Sequence, residues 1–385
     1  MAAQRLYDLC GGGKLFQRFD RTRSGPYRKR STAQRAGTYL DHFGLVLHSA
    51  CIFKRIWCQL SRNKAIAWLL GQGLEKSLEI ESRSAFPDAS RLSFYAPDFA
   101  LSQPEPWWLG EPAEFTGFDR RPLPEMVHKA EPSSAAFARL FEEIRDEISA
   151  GTFAKVVPVV REDYEFASAL APDMFETRPR AGLWSYGFEF EGEGLSGQTP
   201  EVLFSVRDGV LETMALAGTG SAGGPSLLED PKERHEHRLV IDHIVSELGD
   251  WGPADVGATV ERSYGILKHL YTPIRIQLKR APEFAKLVAR LHPTAALGGS
   301  PRRPAVDWLE RQEFHSTRGR FGAPFGFVEG DRMLCLAAIR NIQWQGARAC
   351  VLSGCGIVSG SHSLDEWREL GLKRESVFRS LGVSP

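Results

Sequence analysis

Strand-like runs recur along this chain with few helices between them, and that pattern limits the fold more than any other feature. KVVPVV (155–160) is the first clear one, although its proline demotes it to an edge or a bulge. Others follow at 184–190, 202–206, 273–278, 321–328, 334–340 and 348–353. Helical periodicity is confined to 133–150, 231–248, 281–291, 304–313 and 363–381. In the first of these, Phe137, Phe141, Ile144 and Ile148 form one stripe, with a serine to cap it and Gly151 to end it. Such a ratio of strands to helices predicts an α+β fold with antiparallel sheets, not a doubly wound parallel sheet. With 385 residues, 42% of them apolar, a sizeable core is available. Residues 61–130 are mixed, with Pro-rich breaks at 97–113 and 122–132, and no chemistry is assigned there.

Lys+Arg and Asp+Glu both number 48, so no global field favours nucleic acid or an anionic membrane. The longest apolar run near the start, FGLVLHSACIF (43–53), is too short to span a bilayer. Six cysteines show neither zinc spacing nor a secreted disulfide framework, which predicts a reducing, cytoplasmic setting. Residues 1–60 are dense in Lys and Arg against only Asp8, Asp20 and Asp41, and have no period. They read as a disordered tail; a transit peptide or an extension upstream of the true start are the alternatives.

Several stretches carry candidate chemistry. In DEWRELGLK (365–373) a helix puts Glu366, Glu369 and Lys373 on one face, either solvated or turned toward a metal and an anion. In PKERHEHRLVIDHIVSEL (231–248), Glu236 extends the stripe of Val240, Ile244 and Leu248 by one turn. A carboxylate on a core-facing side needs a cation or hydrogen bonds; otherwise it is the exposed end of the stripe. Zinc on His235, His237 and His243 is disfavoured, because i and i+2 point apart on a helix. Lys155 opens an apolar strand, where a desolvated lysine is a usable base and a snorkelling one is not. Glu201 enters another apolar strand as a candidate acid. LAGTG (216–220) and SGCGIVSGS (353–361) supply close-approach backbone, the second just before a helix N-terminus.

In order, FAKVV (153–157), TPEVLF (199–204), ALAGT (215–219), KERHEHRLVIDHI (232–244), LKHL (267–270), LHPTAALGGSPR (291–302), AAIR (337–340), GCGIVSGS (354–361) and DEWRELGLK resemble the chorismate-utilising enzymes. The resemblance covers roughly residues 133–380. It implies a single large chorismate-binding domain at 131–385, two mainly antiparallel sheets packed together with helices outside, and a variable part at 61–130. It further implies magnesium held by Glu236 and Glu369 with Glu366 close by, and substrate carboxylates on Arg340 and Lys373. The backbone of Gly354 and Gly356 would assist, and His269, Thr219 and Gly218 would line the pocket.

Three positions bear on which member this resembles. Lys155 matches the lysine that activates water, where the ammonia-using members differ. Ala217 stands where aminodeoxychorismate synthases carry a nucleophilic lysine. Ala296, Leu297 and Phe321 are apolar where salicylate synthases resemble Thr and Tyr types. The set looks like isochorismate synthase, with Lys155 as base, Glu201 as acid and no obligatory amidotransferase subunit. Salicylate synthase, anthranilate synthase component I and a non-catalytic chorismate- or metal-binding relative are the alternatives. KVVPVV departs from the family's usual K-V-V-L-S-R, and its proline bears on where Lys155 sits.

Overall fold

The computed structural model describes residues 65–383; the basic stretch at 1–60 lies outside them. Seventeen strands hydrogen-bond into one continuous network, and every pairing is antiparallel. The network folds over on itself. Tyr186 meets Phe325 at 5.1 Å and Trp108 meets Phe188 at 4.4 Å between ring centroids, although the strands that carry them are not paired. The two packed layers expected from the sequence are therefore the two arms of one sheet, joined by strands that pair on both sides.

Helices cover the outside: α1 (Ser134–Ser149), α2 (Pro231–Leu248), α3 (Phe284–Leu291), α4 (Arg302–Glu310), α5 (Glu313–Ser316) and α6 (Ser363–Leu381). Asp230 starts α2 by accepting from the backbone N–H groups of Lys232 and Glu233, with Pro231 in the first turn. Ser133 caps α1 in the same way, accepting from Ala136. α6 stops at Gly382, whose φ of +67° only glycine adopts readily. The inner face of α2 (Val240, Ile241, Ile244, Leu248) packs with α3 on the strands Val202–Arg207, Val210–Ser221 and Leu267–Gln277. No helix among the described residues is long and apolar enough to cross a membrane.

Pro158 divides KVVPVV between two sheets. Lys155–Val156 is the middle strand of a separate three-stranded sheet, between Gly299–Ser300 and Ile357–Val358. Val159–Phe166 belongs to the large network. A residue without an N–H cannot continue a ladder, so the chain changes partners there.

The Pro-rich region to which no chemistry was assigned contains Trp107–Pro112 and Met126–Ala130, both paired strands. Glu193–Thr199 and Asn341–Gln345 were likewise not expected as strands. The former, EGLSGQT, has no strand composition; its pairing with Trp184–Phe190 and Asn341–Gln345 makes it one.

Candidate active site

The strand ends above meet at a pocket of about 70 Å³. Its wall carries Glu201, Ala217, Gly218, Thr219, Glu236, His269, Ala296, Leu297, Phe321, Arg340, Gly354, Gly356 and Lys373. Residues from 201 to 373, chosen from sequence alone, thus share one cavity. Lys155, Glu366 and Glu369 do not line it and stand behind its wall.

Glu201 enters the pocket at the head of the strand Val202–Arg207 and is 5% exposed. Burial raises its carboxyl from 4.5 to about 7, against the pull of Lys155, Lys373 and Arg340. It can hold a proton near neutrality and lose it at little cost.

Arg340 sits at φ +55°, a left-handed conformation that a non-glycine residue tolerates only when its surroundings hold it. Its Nη2 lies 2.6 Å from His269 Nε2. His269 Nδ1 lies 3.0 Å from the Gly218 carbonyl. A carbonyl only accepts, so Nδ1 carries the proton and Nε2 accepts from Arg340. Burial, then the charge of Arg340, lowers the His269 pKa far below its ordinary value and keeps the ring neutral. The guanidinium is thereby aimed and keeps donors for an anion.

Lys155 has no solvent exposure, and its Nζ stands 3.0 Å from Glu236 Oε1, at ion-pair distance but without hydrogen-bond alignment. Gly356 lies over this pair. A Cβ there would fall 2.1 Å from Glu236 Oε1 and 2.6 Å from Lys155 Cε, so only glycine fits. The expected base is in the right neighbourhood, sealed from the cavity by Glu236 and the Gly356 backbone.

Glu236 is buried, so it is not the exposed end of the α2 stripe. Burial alone would raise its carboxyl; Lys155 and then Lys232 reverse this and hold it below the usual range. Lys232, not singled out in the sequence, reaches Glu233 Oε1 at 2.9 Å, Glu366 Oε1 at 2.9 Å and Glu236 Oε2 at 3.6 Å. Its place one turn before Glu236 was the available signal. Glu233, also missed, accepts from the Thr219 N–H at 2.8 Å, and its Oε2 lies 3.1 Å from where a Gly218 Cβ would be. His237 bonds Thr272 Oγ1 at 2.7 Å.

The α6 face is not solvated at its inner end. Glu366 is 2% exposed, its Oε2 has no partner, and burial with the Glu369 charge raises its carboxyl to about 7. Burial opposes the Lys373 ammonium, but Glu369 at 2.7 Å outweighs it and raises its pKa. Lys373 also donates to the Gly354 carbonyl at 2.8 Å.

Among the described residues no three His, Cys, Asp or Glu side chains are gathered so as to hold a metal ion unaided. Magnesium is undemanding here: one or two carboxylates suffice, the rest being water and substrate oxygen. Buried carboxylates in excess, one with an orphaned oxygen, are a hard donor set that fits such an ion.

An antiparallel sheet folded into two layers thus carries a pocket where Arg340 and Lys373 stand beside Glu201 and Glu236, with the last helix along one side. This chain belongs to the chorismate binding enzyme family, whose model matches residues 113–382. It is 35% identical over 202 residues to the salicylate biosynthesis isochorismate synthase of Pseudomonas aeruginosa, covering 49% of this chain and 42% of that one. It is 34% identical over 214 residues to isochorismate synthase MenF of Bacillus subtilis, covering 51% and 45%. The chain thus spans less than half the length of these two relatives. Among solved structures, menaquinone-specific MenF of Escherichia coli superposes with a TM-score of 0.68 at 21% identity, over 82% of this chain and 88% of that one. Anthranilate synthase component I of Streptococcus pneumoniae reaches 0.60 at 18% identity, over 82% and 90%. These likenesses show the fold.

Proposed function

We propose that this protein is an isochorismate synthase that interconverts chorismate and isochorismate with magnesium, in the cytoplasm, for menaquinone synthesis. One observation carries the reading. A buried carboxyl raised to about 7, Glu201, lines the same pocket as Glu236, whose Oε1 lies 3.0 Å from the Nζ of the buried Lys155. That is an acid and a base with separate tasks.

Lys373 and Arg340 bind the two carboxylates of chorismate. Lys155 reacts in its neutral amine form, which takes a proton from water. The resulting hydroxide forms its bond to ring carbon 2, and the double bonds shift. Glu201 gives its proton to the carbon 4 hydroxyl, which leaves as water. One water enters and one leaves, so the reaction is an isomerisation. Glu236, Glu366 and Glu369 would hold magnesium, which when bound neutralises the ring carboxylate. Ala296, Leu297 and Phe321 offer no polar group to turn the enolpyruvyl side chain toward pyruvate loss. This favours isochorismate synthase over the salicylate and anthranilate alternatives. A non-catalytic binding relative would need neither Lys155 nor Glu201.

The deciding experiment is chromatography of chorismate incubated with the chain and magnesium, with and without ammonium, beside a chelator control. The reading requires a chelator-sensitive isochorismate peak in equilibrium with chorismate. Salicylate with pyruvate, or anthranilate with ammonium, would replace it with a sister activity. Unchanged chorismate would leave a binding protein.

A further inference from the structure

Arg318 is an unusual residue for its position. It is 1% exposed, and among the described residues no carboxylate pairs with it. Burial alone displaces its pKa, down to about 9, which leaves it charged at neutrality. A buried cation without a counter-ion is costly, so its hydrogen bonds must fix something that the fold does not hold otherwise. They do converge. Nε donates to the Phe321 carbonyl at 3.0 Å and Nη2 to the Leu297 carbonyl at 2.9 Å. The guanidinium Cζ lies 3.5 Å from the centroid of the Phe99 ring. Leu297 belongs to the turn after α3 and Phe321 to the turn after α5, and no strand ladder joins these turns. Both residues face the pocket.

We propose that Arg318 is the positioning residue that locks the apolar wall of the pocket, and through it decides which product leaves. The inference rests on the isochorismate synthase reading and deepens it. Two turns with no ladder between them are pinned by one planar fork stacked on Phe99. The wall is then rigid where the enolpyruvyl group would lie. With the fork gone, Leu297 and Phe321 move independently and the side chain gains orientations. One of these permits decay of isochorismate. The C–O bond from carbon 3 to the enolpyruvyl group breaks, the hydrogen on carbon 2 moves to the enolpyruvyl methylene carbon, and salicylate and pyruvate form without an added oxidant.

The test compares wild type, Arg318→Met, Arg318→Lys and Phe99→Leu by kcat, KM and pyruvate released per chorismate consumed. Arg318→Met is expected to lower kcat at least tenfold with KM changed less than threefold, and to raise the pyruvate fraction at least fivefold. Arg318→Lys, reaching one carbonyl instead of two, should recover part of both. Phe99→Leu lies outside the pocket and buries no new charge. It should raise the pyruvate fraction in the same direction, and keeps the test valid if Arg318→Met fails to fold. Folded variants with wild-type kcat and pyruvate fraction would overturn the role of Arg318. A wild type that makes no isochorismate would instead overturn the reading beneath it.

Discussion

Gly356 shows how closely the reacting groups are packed. A methyl group there would strike Glu236 and Lys155 together. Gly356→Ala should therefore lower kcat at least a hundredfold while circular dichroism stays native; a variant within threefold of wild type would show that the pair can shift without loss. Glu201 gives a pH signature. Its carboxyl must be protonated to act, so forward kcat/KM should fall as pH rises through about 7, and Glu201→Gln should abolish turnover yet bind chorismate. The same group has a stability signature. Its folded pKa is raised from 4.5, so the folded state is favoured below about 4.5 and that advantage is lost as pH climbs through about 7. Glu201→Gln should then melt higher than wild type at pH 8, and the gap should close at pH 4. Glu201 and Glu236 stood out by their places on apolar runs, Lys373 by its helix face and Arg340 only by the family resemblance; all four line the pocket. The sealing of Lys155 was not, since it depends on Gly356, two hundred residues later and without a side chain to notice. The Lys232 contact with Glu366 was hidden for a similar reason: that partner comes from α6.

α2 and α6 face each other across an ion cluster, and Lys232 is the tie between them. It sits on carboxylates that magnesium would use. Lys232→Met should therefore tighten magnesium binding at least tenfold by titration calorimetry and lower the melting temperature of the metal-free chain. Unchanged affinity would mean that the ion binds elsewhere. α6 also carries the core: Leu370 is fully buried beside Phe137 and Trp308, and Leu370→Ala should cost about 2–5 kcal/mol in denaturant unfolding. Helices of this kind were read from sequence to within a residue or two, because period, caps and glycine stops agree along α1, α2 and α6. Strands were read less well. Glu193–Thr199 is glycine and serine over much of its length, and only its neighbours make it extended. Pro158 was legible as an interruption, but its destination in a second sheet was not.

At the scale of the molecule, the region before the family match is part of the same sheet. Ile66–Gly71 pairs with Trp184–Phe190, and Ser93–Tyr95 pairs with Pro324–Glu329. Deleting residues 65–112 would uncover Tyr186, Phe188 and Phe325, and the product should be less soluble than the undeleted chain when the two are compared by sedimentation. No strand was expected here: Ser93–Tyr95 is three residues long, Trp107–Pro112 lies in a Pro-rich break, and Leu74–Ser84 is charged or polar at most positions. The α+β class was legible, because it follows from the count and order of runs alone. One consequence lies in the sealing of Lys155. Under the proposed reaction, each forward turnover ends with a proton gained on Lys155 and one missing from Glu201. The free enzyme then exists in two isomers, and only one can start the next forward cycle. With no solvent at Lys155, the return between them becomes a kinetic step of its own. At high substrate this step should limit the rate, and labelled isochorismate at chemical equilibrium should be driven backward when unlabelled chorismate is added.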